Sequence, residues 1–236
     1  MKLLEVKQVS KRFGGLTANQ DVSFEVGEAQ IVGLIGPNGA GKTTMFNCVA
    51  GFFAPSEGSI LLDGRDIAGL PPEDCARAGV ARTFQIARTF TSMTACENVM
   101  TAAMLREHHV GRARTAAMRW LAFANLERFA DRPAASMTIS EQRLLAVARS
   151  LALQPRILLM DEVMAGLNPS EVRLAVDVVL KIRDHGIACL IVEHVLEGIM
   201  PIADKIVVLD RGVKIAEGTP QEVSSDPVVI TAYLGD

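Results

Sequence analysis

The chain has few cysteines, little excess charge and no long hydrophobic run in its 236 residues. Its 4 cysteines are scattered and form no C-x-x-C pair, so we expect reduced thiols rather than disulfides or a zinc site. The formal net charge of −3 provides no basic footprint, and we expect no nucleic-acid partner. These absences argue against disulfide-rich secreted proteins, zinc modules and nucleic-acid-binding proteins.

Segments that would direct the chain into a membrane are also missing. Residues 1–7 carry charge at Lys2 and Glu5, too early for a signal peptide. No apolar run approaches the ~20 residues that a membrane-spanning helix requires. We therefore expect any membrane role to depend on a partner protein. The apolar share of 49% is sufficient for a sizeable core in a single domain covering residues 1–236.

One motif determines the kind of chemistry to expect. Residues 36–43, G-P-N-G-A-G-K-T, form a complete G-x-x-x-x-G-K-[ST] phosphate loop. An apolar predicted strand precedes it and a predicted helix follows, a context that argues against a chance glycine turn. Backbone N–H groups and the helix N-terminus would bind phosphate, Lys42 would contact the β- and γ-phosphates, and Thr43 would bind Mg²⁺. The predicted nucleotide-binding residues here are Gly36, Pro37, Asn38, Gly39, Ala40, Gly41, Lys42, Thr43 and Thr44.

The hydrophobic pattern predicts an α/β fold in which strands and helices alternate around a parallel sheet. Predicted strands cover residues 3–9, 21–26, 31–35, 59–64, 157–160, 188–192 and 205–209. Predicted helices cover residues 94–105, 112–123, 140–153 and 169–184, and Gly111 is expected to break the first from the second. The fold class is thus a P-loop NTPase with a parallel sheet core, an antiparallel β subdomain and a helical lobe at about residues 86–150.

A second motif, which is acidic, follows the predicted strand at 157–160. Asp161 ends this apolar strand, which is the Walker B arrangement that positions a carboxylate for Mg²⁺. Glu162 comes next and is suited to polarise a water molecule that attacks the γ-phosphate, because a carboxylate accepts a proton. An ordinary acidic strand end is the alternative, which the nearby phosphate loop disfavours.

With these motifs in this order, the sequence resembles the ATP-binding subunits of ABC transporters over nearly its whole length. The resemblance places Gln85 at the Q-loop, residues 165–168 at the D-loop, His194 at the switch histidine and Phe13 against adenine. It implies ATP and Mg²⁺ as ligands. It assigns catalytic roles to Glu162, His194 and Gln85. It assigns binding of the metal to Thr43, Gln85 and Asp161. The alternatives are a surface glutamine, a helix-entry turn, a hydrogen-bonded structural histidine and a core phenylalanine.

One motif departs from the family pattern. Residues 137–141, M-T-I-S-E, stand where the family has its L-S-G-G-Q signature, which faces the γ-phosphate held by the other subunit of a dimer. The resemblance assigns phosphate contacts to Thr138 and Ser140, and Thr138 keeps a hydroxyl. Ile139 adds bulk, and Ser140 cannot adopt a positive φ as easily as glycine. We therefore expect an impaired signature beside intact Walker residues.

Residues 13–18, 81–85, 165–169 and 230–236 resemble the branched-chain amino acid importer group. Urea-type and lipopolysaccharide-export ATPases share much of this sequence. The resemblance implies an ATPase that couples to transmembrane permease subunits as a homodimer or heterodimer, bound peripherally at the cytoplasmic face of the inner or plasma membrane. A regulatory subunit with weak hydrolysis is a second hypothesis. A soluble ABC ATPase acting on ribosomes or DNA is a third, but the second nucleotide domain or coiled coil usual there is missing.

Overall fold

The computed structural model describes residues 1–83 and 89–234, and Gln85 lies outside this range. Its strands are β1 Lys2–Phe13, β2 Leu16–Gly27, β3 Ile31–Ile35, β4 Glu57–Leu62, β5 Arg65–Asp66, β6 Val80–Arg82, β7 Ile157–Asp161, β8 Ala188–Val192, β9 Lys205–Asp210 and β10 Val213–Gly218. Its α-helices are α1 Lys42–Val49, α2 Pro72–Ala78, α3 Ala95–Ala103, α4 Val110–Phe123, α5 Ile139–Leu151, α6 Pro169–Asp184, α7 Leu196–Ile199, α8 Pro220–Ser225 and α9 Pro227–Leu234. Short 3₁₀ turns lie at Glu127–Phe129 and Ala134–Ser136.

The strands form two sheets within the described part of the chain. The larger sheet has the order β10-β9-β3-β8-β7-β6, and its pairs from β9 to β6 are parallel. The smaller sheet, in the order β2-β1-β4-β5, is antiparallel. Strands β3, β7 and β8 are buried along their whole length, as expected for a sheet covered on both faces. The expected combination of a parallel core and an antiparallel subdomain is confirmed.

Among the residues that the structure describes, three apolar clusters hold these layers together. One joins the two sheets and α1, and a second packs α5, α6 and α7 on the other face of the large sheet. The third lies among α3, α4 and α5 and consists mostly of alanine, with Leu121, Leu126 and Leu145 fully or almost fully buried. Small residues allow helices to approach closely, so this separate cluster gives the helical lobe a core of its own.

Several local predictions need correction. The helix α3 ends at Ala103, well before Gly111, and Gly111 lies in the first turn of α4 rather than between two helices. The Nδ1 atom of His109 accepts a hydrogen bond from the Gly111 backbone N–H at 3.2 Å, so the side chain caps this helix. The elements α2, β6 and β10 were not predicted, and of these β6, with 3 residues, is too short to show a clear period.

Two further expectations concern the cysteines and membrane-spanning helices. All 4 cysteines are buried and free, which fits the expectation of reduced thiols. Within residues 1–83 and 89–234, no helix has the length and apolar character needed to cross a bilayer.

Candidate nucleotide-binding site

The phosphate loop connects β3 to α1, as its motif predicts. Gly36 has φ 150° and lies against the backbone of Leu209 at the end of β9, where a Cβ atom would overlap the carbonyl oxygen. Gly41 has φ 94°, and a Cβ atom there would collide with Asn19 and with the backbone of Ala18 on β2. Both positions therefore require glycine for a reason of space as well as of backbone conformation.

Lys42 is almost fully buried, although its side chain carries a charge. Its Nζ donates hydrogen bonds to the carbonyl oxygens of Gly36 at 2.7 Å and Pro37 at 2.9 Å. Burial lowers the pKa of Lys42, and the negative charges of Glu162 and Asp161 oppose that shift. The ammonium group is thus held inside the curve of the loop, close to both acidic residues.

The acidic residues and the histidine converge because neighbouring parallel strands end at the same edge of the sheet. Asp161 is the last residue of β7 and pairs in register with Val192, the last residue of β8. The chain turns at Glu162, whose φ is 51° and whose N–H donates to Val192 O at 2.9 Å. This turn places Oε1 of Glu162 3.1 Å from Nε2 of His194. The predicted catalytic pair is thus in direct contact.

The donor atoms present suit a magnesium ion. Mg²⁺ prefers hard oxygen ligands and is commonly bound through one or two carboxylates together with substrate phosphates. Asp161 supplies a nearly buried carboxylate at the end of β7, and the exposed Thr43 lies in the first turn of α1 next to Lys42. A cage of three or more histidine, cysteine or acidic side chains is not found in the described part of the chain. This arrangement fits an ion that is held mainly by nucleotide and solvent.

Glu193 is a buried acid that the sequence analysis did not select. It lies between β8 and His194 with 0% of its surface exposed. Its Oε1 accepts a hydrogen bond from the backbone N–H of Met164 at 2.6 Å. Burial raises the pKa of Glu193 to about 7, against the opposing effect of the backbone N–H groups of Met164, Val195 and His194. The side chain therefore ties the histidine turn to the turn after β7.

Some of these groups line a cavity of about 580 Å³, whereas Gly36, Asp161 and Glu193 do not. Glu162 and His194 line it together with residues 38–44 of the phosphate loop and α1. Leu16, Thr17, Ala18 and Arg211 also line it and were missed, because nothing in their local sequence indicates a ligand. Phe13 does not line it but lies three residues before Leu16 on the same hairpin.

Phe13 is not a core residue. Its surface is 41% exposed, it contacts Phe53 edge-on with ring centroids 5.2 Å apart, and Lys11 Nζ lies 4.9 Å from its ring centroid. The alternative of a core phenylalanine is therefore wrong. A partly exposed ring at the tip of the β1–β2 hairpin is available for stacking, and its contact with adenine stays a prediction.

The signature segment lies apart from this cavity, at the start of α5. Thr138 caps the helix by accepting from Glu141 N–H at 3.2 Å, while Glu141 Oε2 accepts from Thr138 N–H at 2.8 Å. Ile139 and Ser140 are the first helical residues, and neither has a positive φ. The expected backbone penalty at Ser140 is therefore absent. Ile139 remains 70% exposed, so the expected bulk at this surface is present.

The profile of the ABC transporter family matches residues 19–165, and the profile of the branched-chain amino acid ATP-binding cassette transporter family matches residues 213–236. The chain therefore belongs to the ABC transporter family, and it is the ATP-hydrolysing cassette of such a transporter. A crystal structure of a nucleotide-free ATP-binding cassette from an ABC transporter matches with a TM-score of 0.91 at 29% identity, covering 100% of both chains.

Two named relatives cover nearly the full length. The chain is 43% identical to the high-affinity branched-chain amino acid transport ATP-binding protein BraF of Pseudomonas aeruginosa, over 99% of this chain and 98% of that protein. It is 42% identical to the corresponding protein LivG of Salmonella typhimurium, with the same coverage of 99% and 98%.

Proposed function

We propose that this chain hydrolyses MgATP to drive the import of branched-chain amino acids or similar small solutes. It would do so at the cytoplasmic face of the inner or plasma membrane, bound to transmembrane permease subunits and paired with a second copy or a related ATP-binding chain. The observation that carries the hydrolytic part is the contact between Glu162 and His194 at the wall of the phosphate-loop cavity. The match of residues 213–236 to the branched-chain amino acid cassette profile supports the solute class.

The chemistry follows from the positions of these side chains. Phosphate oxygens would bind the backbone N–H groups of the loop and the ammonium of Lys42. The Glu162 carboxylate would orient a water molecule and accept its proton as the water oxygen attacks the γ-phosphorus, while the bond from that phosphorus to the β–γ bridging oxygen breaks and ADP leaves. His194, whose Nε2 lies 3.1 Å from Oε1 of that carboxylate, would fix the orientation of Glu162. Asp161 and Thr43 would hold Mg²⁺, which would supply positive charge to neutralise the charge that develops on the phosphate oxygens.

A transport assay tests the proposal. In a strain that lacks the chromosomal gene, uptake of labelled leucine is measured with the wild-type chain, with Glu162→Gln and with Arg77→Met. Arg77 forms an exposed ion pair with Asp74 on α2, away from the cavity, and serves as a matched surface control. We expect the wild type and Arg77→Met to restore uptake and Glu162→Gln to fail at equal expression. Leucine uptake that is independent of the chain would reject the solute class.

A regulatory subunit with weak hydrolysis is the second candidate, and the exposed Ile139 favours it. A bulky side chain at the start of α5 would stand between the helix N-terminus and a phosphate held by a partner subunit. In that case the purified chain would bind ATP but turn it over slowly at every protein concentration. An ATPase rate that increases with protein concentration would favour a catalytically active homodimer instead.

A further inference from the structure

Arg82 is a nearly buried cation that contacts the Walker B aspartate. Its side chain is 9% exposed, and that of Asp161 is 5% exposed. One arm of the guanidinium, Nη2, donates to Asp161 Oδ2 at 2.8 Å. The other, Nη1, donates to Asn47 Oδ1 on α1 at 2.5 Å. A single side chain on β6 therefore holds an acid from β7 and an amide from the helix that follows the phosphate loop.

The surroundings of Arg82 fix the guanidinium in this place. Its central carbon lies 5.7 Å from the ring centroid of Phe46 and 5.5 Å from that of Phe52. The backbone of the same residue is anchored as well, because Ser150 Oγ on α5 donates to Arg82 O at 3.2 Å. Aromatic faces attract a guanidinium and limit its rotation, so the two N–H arms of the Arg82 guanidinium are preorganised before any ligand binds.

We propose that Arg82 is a positioning residue for Asp161 in the MgATP reaction, an inference that rests on the proposed function. The ion pair compensates the charge of a nearly buried carboxylate and fixes Oδ2, and Oδ1 would then be the oxygen left for Mg²⁺. Groups that orient a metal-binding side chain in this way commonly contribute about 10–100-fold to metal affinity. The link to Asn47 also sets the distance between β7 and α1, the two elements that carry Asp161 and Thr43.

The fork geometry explains why lysine would not replace this arginine. Two acceptors from different elements are held by two separate N–H groups of one planar group, and a lysine ammonium is a single point on a flexible chain. Arg82→Lys keeps the positive charge but cannot hold Asn47 and Asp161 with the same geometry. Arg82→Met removes the charge while retaining much of the apolar stem.

The test separates binding of the metal from binding of the nucleotide. Affinity for a fluorescent ATP analogue is measured by titration, with saturating Mg²⁺ and with EDTA, for the wild type, Arg82→Met, Arg82→Lys and the surface control Arg77→Met. We expect the gain in affinity due to Mg²⁺ to fall by about tenfold or more in Arg82→Met and by less in Arg82→Lys. The affinity in EDTA should change by less than about threefold, since the phosphate loop itself is unaltered.

Two results would overturn the inference. One is an unchanged Mg²⁺ effect in the arginine variants, including the case in which affinity falls equally with and without Mg²⁺. The other is a stronger Mg²⁺ effect, which would make Arg82 a competitor of the metal. If Arg82→Met does not fold, as judged by its thermal transition, Arg82→Lys decides alone by the same criteria. If the wild-type chain binds no nucleotide or shows no Mg²⁺ effect, the proposed function itself fails.

Discussion

Replacing Glu193 with glutamine should change how the stability of the protein depends on pH. Glu193 is fully buried, and its burial raises its pKa from 4.5 to about 7. Because the folded state binds this proton more tightly than the unfolded state, the free energy of unfolding falls as the pH rises between these values. Glutamine keeps an oxygen that can accept from Met164 N–H but does not ionise. The free energy of unfolding of the Glu193→Gln variant therefore lacks this decrease with rising pH.

The size of the effect follows from the same two pKa values. Between about pH 5 and about pH 8, ionisation of one carboxyl with this shift removes about 2.5 kcal/mol from the free energy of unfolding. We expect the stability of Glu193→Gln relative to the wild type to rise by an amount of this order over that interval. Other titrating groups are common to both proteins and cancel in the difference.

Urea unfolding followed by circular dichroism at several pH values measures this difference. Glu197→Gln is the matched control, since Glu197 is an exposed glutamate four residues along the chain. Its stability relative to the wild type should stay within about 0.5 kcal/mol across the range, as is usual for surface changes. A constant difference between Glu193→Gln and the wild type from pH 5 to pH 8 would refute the reasoning about burial.

The remaining predictions concern the nucleotide. Lys42→Ala should weaken ATP binding by about 10–100-fold, because charged hydrogen bonds to phosphate are lost. Calorimetric titration measures the affinity, and an unchanged value would exclude Lys42 as a phosphate ligand. Glu162→Gln should retain MgATP binding and slow hydrolysis by about 10²–10⁴-fold in a phosphate-release assay, whereas wild-type turnover would remove it from catalysis. His194→Ala should slow turnover similarly, and full activity would leave it structural. The double change Ile139→Gly and Ser140→Gly should raise the ATP turnover of the purified chain, because it exposes the start of α5. If the wild type already turns ATP over rapidly and the double change has no effect, the signature is not impaired.

The parts of the site that lie close together in sequence could be predicted from it. The phosphate loop and the Asp161–Glu162 pair are contiguous, and a fully apolar strand precedes each of them. The helix α6 was also predicted with its observed bounds, because Asn168 provides a cap and Pro169 begins the first turn. Local chemistry determines these features, so one sequence contains enough information.

The parts that depend on distant contacts could not be predicted. Arg82 and Asp161 are 79 positions apart, and β6 is too short to indicate that they lie on adjacent strands. Arg211 reaches the cavity only because β9 pairs with β3. Ser140 adopts no positive φ, contrary to the expectation from the family motif, because the Thr138 cap begins a regular helix at Ile139.

The contacts of the charged groups indicate how MgATP would compete for them. Lys42 donates to two neutral carbonyl oxygens, and phosphate oxygens are stronger acceptors for its ammonium because they carry negative charge themselves. Asp161, by contrast, already has a cationic partner in Arg82, so Mg²⁺ must share this carboxylate rather than replace a weak contact. The loop would therefore bind the phosphates with little loss of existing interactions, while the metal site would depend on the geometry that Arg82 maintains. Variants of Lys42 should therefore weaken nucleotide binding both with and without Mg²⁺. Variants of Arg82 should weaken it mainly when Mg²⁺ is present.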